Sequence, residues 1–142
     1  QSGGAYTLQQ FNAEALDLSK AVVLVGGAGL GKTQFAFAHS ENALMISCLD
    51  DLKRITDSTD LLVFDDVDMS HLKPEVAIAL LDMEFERSID LRYGPARIPK
   101  GMRRIFTTNK KAKDILPRAK GEQKKAIKRR RSVVKVEEKL FG

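Results

Sequence analysis

The chain has very little cysteine and no long apolar run, and both absences restrict what it can be. Cys48 is the only cysteine among 142 residues, which excludes an intrachain disulfide framework and a cysteine-rich metal site. We expect Cys48 to be a small core residue. No stretch approaches the roughly 18 to 20 apolar residues of a membrane span, and no signal-peptide pattern is present. The sequence therefore predicts a soluble, intracellular protein that does not enter a membrane.

Histidine and aromatic residues are also scarce. His39 and His71 are the only histidines and lack the spacing of metal ligands, so we expect both to be structural or surface residues. Aromatic residues make up 6% of the chain, and Tyr93 is the only one beside a predicted hairpin tip. Stacking is therefore a weaker expectation for any nucleic-acid binding than backbone contact.

Positive charge is concentrated in the last third of the chain. Residues 1–99 carry 8 Lys and Arg against 15 Asp and Glu, a net charge of −7, whereas residues 100–142 carry 16 against 4, a net charge of +12. This concentration suits a polyanion, because Lys and Arg that neutralise phosphates supply the sequence-independent part of nucleic-acid affinity. A solvated charged tail is the alternative.

Short apolar runs alternate with helix-like segments along the chain. The runs predict five strands, at 21–25, 43–48, 60–66, 103–109 and 132–136. Runs without alternation of apolar and polar residues are typical of strands buried on both faces. Strands separated by helices predict a three-layer α/β domain with a mainly parallel five-stranded sheet.

The intervening segments predict helices and one hairpin. An N-terminal helix, capped by Thr7 or Asn12, is expected to end near Lys20. Further helices are expected at 35–39, near 50–55, from Pro74 to Met83 and in the Lys-rich segment after 109. Gly94-Pro95 predicts a hairpin over 88–101. We interpret 7–142 as one domain and 1–6 as a linker or cloning remnant.

Residues 26–33 match the phosphate-binding pattern G-x-x-x-x-G-K-[ST] between a predicted strand and a predicted helix. Glycines let the backbone wrap around phosphate oxygens, while N–H groups and the helix N-terminus supply positive potential. Lys32 is expected to contact the β- and γ-phosphates, and the Thr33 hydroxyl to ligate Mg²⁺. The predicted ATP-binding residues are Gly26, Gly27, Ala28, Gly29, Leu30, Gly31, Lys32 and Thr33.

Polar side chains end two later strands. Asp65 and Asp66 follow an apolar run, where one carboxylate can hold Mg²⁺ and the other can orient or deprotonate water. We assign Asp65 to the metal and Asp66 to the water, which requires the chain to turn there because adjacent strand residues face opposite ways. Asn109 ends the fourth strand and is a candidate to hydrogen-bond the γ-phosphate and the water. A simple turn role is its alternative.

The series GGAGLGKT, LLVFDD and IFTTN resembles superfamily 3 helicases, a compact branch of the AAA+-like P-loop ATPases. Residues 92–109, RYGPARIPKGMRRIFTTN, are similar to the helicase domain of the Rep replication initiators of circular single-stranded DNA viruses and related plasmids. The resemblance covers residues 20–136. The sequence lacks the endonuclease part of a whole Rep, so the resemblance implies a helicase domain from a longer protein.

The resemblance implies further residues and partners. In that family the tip of a basic hairpin grips single-stranded DNA, and Arg97 and Lys100 match this hairpin best. The family forms rings, hexameric when active, in which a neighbour's arginine stabilises the charge that develops at each ATP; a monomer is the alternative for an isolated domain. The candidate arginine finger is within Arg129-Arg130-Arg131, and the resemblance favours Arg129 and Arg130. A basic patch that contacts DNA or solvent is the alternative for both.

The leading hypothesis is an ATP- and Mg²⁺-dependent DNA helicase domain that hydrolyses ATP between subunits and moves along single-stranded DNA. One alternative is a module that oligomerises or loads onto DNA without unwinding it. A small-molecule P-loop kinase is a weaker alternative, because no lid segment is evident. The expected location is intracellular: the host nucleus for a eukaryotic virus, and the cytoplasm otherwise.

Overall fold

A central sheet of five parallel strands organises residues 6–141, the part of the chain that the computed structural model describes. In chain order the α-helices and strands are β1 (Ala21–Val25), α1 (Lys32–Phe37), β2 (Ala43–Ile46), β3 (Leu61–Asp65), α2 (Pro74–Leu81), β4 (Arg87–Ile89), β5 (Ala96–Ile98), β6 (Arg103–Thr108), α3 (Ala112–Ile115), α4 (Gly121–Arg129) and β7 (Arg131–Lys135). Two 3₁₀ helices, Leu8–Gln10 and Leu49–Arg54, complete the set among the described residues. The sheet order is β2-β3-β6-β1-β7, and each neighbouring pair is parallel. The predicted α/β class and five-stranded sheet are confirmed.

The sheet is covered on both faces because its strand residues alternate between two apolar cores. On one face Leu62 and Phe64 pack with residues of α2, α4 and the hairpin. On the other face Leu61 and Val63 pack with Phe35 of α1 and with residues near both ends of the described chain. Burial on both faces explains why the strand sequences read as continuous apolar runs.

β4 and β5 form the predicted hairpin, separate from the main sheet. They pair antiparallel, with Arg87 opposite Ile98 and Ile89 opposite Ala96. Ile89, Ala96 and Ile98 are buried in the α2-side core, so one face of the hairpin is fixed to the domain. Its other face and its loop, residues 90–95, remain available at the surface.

The predicted N-terminal helix over 7–20 is wrong. Only Leu8–Gln10 is helical, as one 3₁₀ turn. The rest is irregular and is held by tertiary hydrogen bonds: the Leu16 N–H donates to His39 Nε2 at 2.9 Å, and the Asn12 N–H donates to the Leu140 carbonyl at 2.6 Å. Contacts of this kind override a helical pattern that spans only a few turns.

Two smaller expectations about the chain also need correction. Cys48 is exposed rather than buried. β2 ends at Ile46, so Cys48 lies beyond the sheet, where its N–H donates to Asp51 Oδ2 at 3.3 Å. The expected linker 1–6 lies outside the described residues except for Tyr6, which packs against Phe11 and Phe141. Tyr6 therefore belongs to the folded unit.

None of the helices within residues 6–141 combines the length and apolar character that crossing a membrane requires.

The hydrogen bonds of His39 fix which form of its ring the fold needs. Nε2 accepts the Leu16 N–H, so the proton is on Nδ1, which donates to the Phe35 carbonyl at 2.8 Å. Burial lowers the pKa of His39 below its ordinary value of 6.5. Protonation of Nε2 would also remove the acceptor for Leu16.

The folded protein should therefore lose stability as the pH falls below about 6.5, because the unfolded chain then binds a proton at His39 that the folded chain does not. Above that pH the contribution is fully present. In His39→Gln the side-chain oxygen can still accept the Leu16 N–H but does not titrate. Urea unfolding from about pH 7.5 to about pH 5.5 should show a smaller loss in His39→Gln than in the unmodified protein. His71→Gln is the control and should keep the full loss; equal losses in all three proteins would contradict this role of His39.

Candidate active site

The glycine loop between β1 and α1 adopts a shape that side chains would obstruct. Gly31 has φ of 87° and directly precedes α1. A Cβ on Gly26 would lie 2.5 Å from the Val136 carbonyl oxygen, which belongs to the backbone and cannot move aside cheaply. The Gly26 N–H donates to the Thr108 carbonyl at 3.1 Å, which ties the start of the loop to the end of β6.

Lys32 is the central side chain of the site. It is only 7% exposed, and its Nζ donates to the carbonyls of Gly26 at 2.8 Å and Gly27 at 2.7 Å and to Asn109 Oδ1 at 3.0 Å. Burial lowers the pKa of Lys32, while the charges of Asp65 and Asp66 act in the opposite direction. The ammonium group thus joins the loop to the end of β6.

A second set of hydrogen bonds connects the loop to β3. Asp65 Oδ1 accepts from Thr33 Oγ1 at 2.9 Å and from Thr107 Oγ1 at 3.0 Å. β6 lies between β1 and β3 in the sheet, so Thr107 is positioned to support the carboxylate from the neighbouring strand. Thr33 and Asp65 together present oxygen ligands of the kind that Mg²⁺ prefers.

The chain turns at Asp66. Such a turn is required if Asp65 is to hold the metal and Asp66 to orient the water at the same site. Asp66 has φ of 55°, a left-handed conformation that non-glycine residues seldom adopt, and its N–H donates to the Thr107 carbonyl at 3.0 Å. Both Asp65 and Asp66 line the same cavity. Local backbone strain of this kind concentrates at functional sites.

A cavity of about 430 Å³ brings these groups together at the carboxyl edge of the sheet. Its described lining residues are Ala28, Gly29, Leu30, Gly31, Lys32, Thr33, Gln34, Asp65, Asp66, Thr107, Thr108, Asn109 and Phe141. Lys32 is the only Lys or Arg among them. Loop residues 28–33, both aspartates and the asparagine proposed from the sequence therefore share one cavity, whereas Gly26 and Gly27 are not among its described lining residues.

The sequence reasoning missed several residues of this cavity. Thr107 and Thr108 directly precede Asn109, and their place at a strand end was the available signal. Gln34 follows the loop directly. Phe141 is more than a hundred positions beyond the loop, and no motif marks it.

The residues present fit a magnesium ion bound together with phosphates. Within residues 6–141 no three His, Cys, Asp or Glu side chains gather into a group that could hold a metal by themselves. Mg²⁺ commonly takes one or two carboxylates and completes its coordination with waters and substrate phosphates. Thr33 and Asp65 are the residues that would hold it.

The two candidate arginine fingers lie away from this cavity. β7 begins at Arg131, so Arg129 and Arg130 lie at the amino edge of the sheet, whereas the cavity lies at the carboxyl edge. Arg129 is exposed, but Arg130 is half-buried and pairs with Asp82, its Nε 3.5 Å from Asp82 Oδ1. Arg129 is therefore the freer of the two.

Asp82 is a buried carboxylate that connects three elements. It is 1% exposed, follows α2, and accepts a hydrogen bond from Arg87 Nε of β4 at 2.8 Å. Burial opposes its ionisation, but the bonds from Arg87 and the Glu84 N–H and the charges of Arg87 and Arg130 leave its pKa below the ordinary value. Asp82 thus ties the base of the hairpin to the end of α4.

The hairpin tip differs from the expected position of the DNA contacts. Arg97 lies inside β5 and pairs with Glu86 at 3.6 Å, and Lys100 lies in the turn after β5. The tip instead carries Arg92 and Tyr93. Tyr93 is 80% exposed, and the Arg92 guanidinium lies 5.3 Å from the centre of its ring. The turn predicted at Gly94-Pro95 lies where the structure has it, but Arg97 and Lys100, the residues that the resemblance assigned to the tip, follow this turn.

No protein-family model matches this chain, and neither does any curated protein.

Two neighbouring glycines provide a matched test of the loop geometry. Gly26→Ala should destabilise the fold by about 1 to 3 kcal/mol, because the new Cβ would overlap the Val136 carbonyl. Gly27→Ala is the control: its Cβ would meet nothing within 4 Å, so its effect should stay within about 0.5 kcal/mol. Urea unfolding measures both variants. Equal stabilities would contradict the close approach of the loop to the segment after β7.

Proposed function

We propose that this chain is the ATP-dependent DNA helicase domain of a replication initiator from a circular single-stranded DNA virus or related plasmid, with a P-loop fold of the superfamily 3 type. The observation that carries the proposal is the meeting of Lys32, Thr33, Asp65, Asp66 and Asn109 in one cavity. These groups derive from three sequence motifs that are distant along the chain. Their arrangement suits a nucleoside triphosphate better than any other substrate class.

Each residue has a specific part in this proposal. The loop N–H groups and Lys32 bind the phosphates, and Lys32 exchanges its bonds to the loop carbonyls for bonds to phosphate oxygens. Thr33 and Asp65 would hold Mg²⁺, which when bound would neutralise charge on the phosphates. Asp66 orients the attacking water and accepts its proton, and Asn109 positions that water through its amide.

Hydrolysis between subunits is supported by the charges of the cavity. Lys32 is the only cation among its described lining residues, whereas phosphoryl transfer is often accelerated by a further arginine. Arg129 is exposed at the opposite edge of the sheet, away from the cavity of its own chain. We therefore propose a ring of identical subunits, hexameric when active, with Arg129 as the finger.

Single-stranded DNA is the proposed polyanion. The net charge of +12 in residues 100–142 attracts the phosphate backbone of the DNA. At the hairpin tip, Arg92 offers a positive charge and the exposed ring of Tyr93 offers a surface on which a base can stack. These contacts do not distinguish one base from another, so the affinity for DNA should not depend on the base sequence.

ATP hydrolysis measured with and without single-stranded DNA across a salt series tests the proposal. Hydrolysis should rise with DNA at low salt and lose this stimulation as salt increases, because phosphate contacts release counterions. Lys32→Ala should abolish turnover. If the rate of ATP hydrolysis is the same with and without DNA at every salt concentration, the result would count against a helicase and favour the small-molecule kinase. DNA-stimulated hydrolysis without unwinding of a tailed duplex would favour the loading module.

The same assay can separate the hairpin tip from its strands. Replacing Arg92 and Tyr93 together by Ala should weaken DNA binding and raise the DNA concentration needed for stimulation about tenfold. Arg97→Ala is the comparison and should have a smaller effect, since Arg97 pairs with Glu86. If Arg97→Ala weakens DNA binding more than the double variant does, the DNA contact lies at Arg97, as the resemblance implied, and not at the hairpin tip.

Mixing two inactive variants tests the arginine finger. Arg129→Ala should slow hydrolysis about 1,000-fold or more, while Lys128→Ala, its exposed neighbour, should not. In a mixture of Arg129→Ala with Lys32→Ala, some boundaries combine an intact cavity with an intact Arg129, so part of the hydrolysis should return. Absence of any rescue would contradict a finger that acts between chains.

A further inference from the structure

The cavity is lined by groups of two kinds. Lys32, Thr33 and the two aspartates supply charged and polar groups. Phe141 lines the same cavity and is 41% exposed. Charged groups and an aromatic ring in one cavity match a ligand that has a polyphosphate at one end and a flat ring at the other.

The ring of Phe141 lies directly against the phosphate-binding loop. Its Cδ2 is 3.2 Å from the point where a Cβ on Gly31 would stand. Behind it, the ring of Phe11 packs with a centroid distance of 4.7 Å and that of Tyr6 with one of 5.4 Å. Phe141 is therefore supported from the protein side while part of its surface remains open.

Backbone hydrogen bonds hold the segment that carries Phe141. We name residues 136–141 the strap. The Val136 N–H donates to the Val25 carbonyl at 2.7 Å, and the Leu140 N–H donates to the Leu30 carbonyl, within the loop, at 2.9 Å. Asn12 Nδ2 donates to the Phe141 carbonyl at 3.1 Å. The strap thus places the ring at a fixed distance from the phosphate site.

We propose that Phe141 is the surface on which the base of the bound nucleotide stacks. This inference rests on the proposed function, in which the cavity binds a nucleoside triphosphate. An aromatic ring attracts the face of a base and does not read its edge, so Phe141 adds affinity for ATP and GTP alike. It explains why a large aromatic side chain remains partly exposed beside the loop.

Calorimetric titration with Mg-ATP, Mg-GTP and inorganic tripolyphosphate tests the stacking. Phe141→Leu keeps an apolar side chain against Phe11 but removes the aromatic face. This variant should bind Mg-ATP and Mg-GTP about tenfold more weakly than the unmodified protein. Its affinity for tripolyphosphate should not change. Phe85→Leu is the control, because Phe85 is 60% exposed and does not line the cavity.

A tryptophan variant adds a spectroscopic readout. The chain contains no tryptophan, so Phe141→Trp would place the only tryptophan of the chain at the proposed stacking surface, where it can be excited selectively. Its fluorescence should be quenched by ATP and GTP but not by tripolyphosphate, and its nucleotide affinity should match that of the unmodified protein.

Three results would overturn the inference. If Phe141→Leu weakens the binding of ATP and of tripolyphosphate equally, the ring affects binding only by shaping the phosphate-binding loop and does not stack on the base. Unchanged ATP affinity in Phe141→Leu, together with fluorescence of Phe141→Trp that ATP does not quench, would remove the stacking role and leave the proposed function standing. If the unmodified protein binds neither nucleotide nor tripolyphosphate, or if Lys32→Ala binds them equally well, the proposed function itself fails.

Discussion

The ammonium group of Lys32 is the interaction on which the rest of the site depends. It is nearly buried, and its hydrogen bonds join the carbonyls of Gly26 and Gly27 to the amide of Asn109. These contacts connect the end of β1 with the end of β6. A buried cation is costly unless it is well paired, so the lysine constrains the loop and the strand ends to one arrangement. In the proposed function, a triphosphate would meet a positive charge that is already in place.

The topology of the sheet explains why these groups meet. Parallel strands direct their carboxyl ends to the same edge, and β6 lies between β1 and β3. Asn109 is thereby placed between the loop and the two aspartates, and Thr107 supports Asp65 from the adjacent strand. The hairpin base and Arg129 lie at the opposite edge, where Asp82 links Arg87 to the end of α4. The domain thus separates its proposed ATP site from its proposed intersubunit and DNA elements.

The sequence was sufficient for features that depend on local pattern. Apolar runs predicted all five strands: β1, β2, β3 and β6 are mostly buried on both faces, whereas the edge strand β7 is partly exposed. The glycine, aspartate and asparagine motifs lie at strand ends that the topology brings together. Features that depend on contacts between residues distant along the chain could not be predicted from the sequence. The Leu16–His39 hydrogen bond replaced a predicted helix, and Phe141 reaches the loop only through the strap. The pairing of Arg130 with Asp82 likewise has no local signal.

A crystal structure with magnesium and a non-hydrolysable ATP analogue would test the central claim most directly. We expect the triphosphate against the N–H groups of the 26–33 loop, with Lys32 Nζ moved from the carbonyls of Gly26 and Gly27 to phosphate oxygens. Asp65 should approach the metal, and Asp66 and Asn109 should face the terminal phosphate. A nucleotide bound elsewhere, or one bound here with Lys32 still on both carbonyls, would contradict the account.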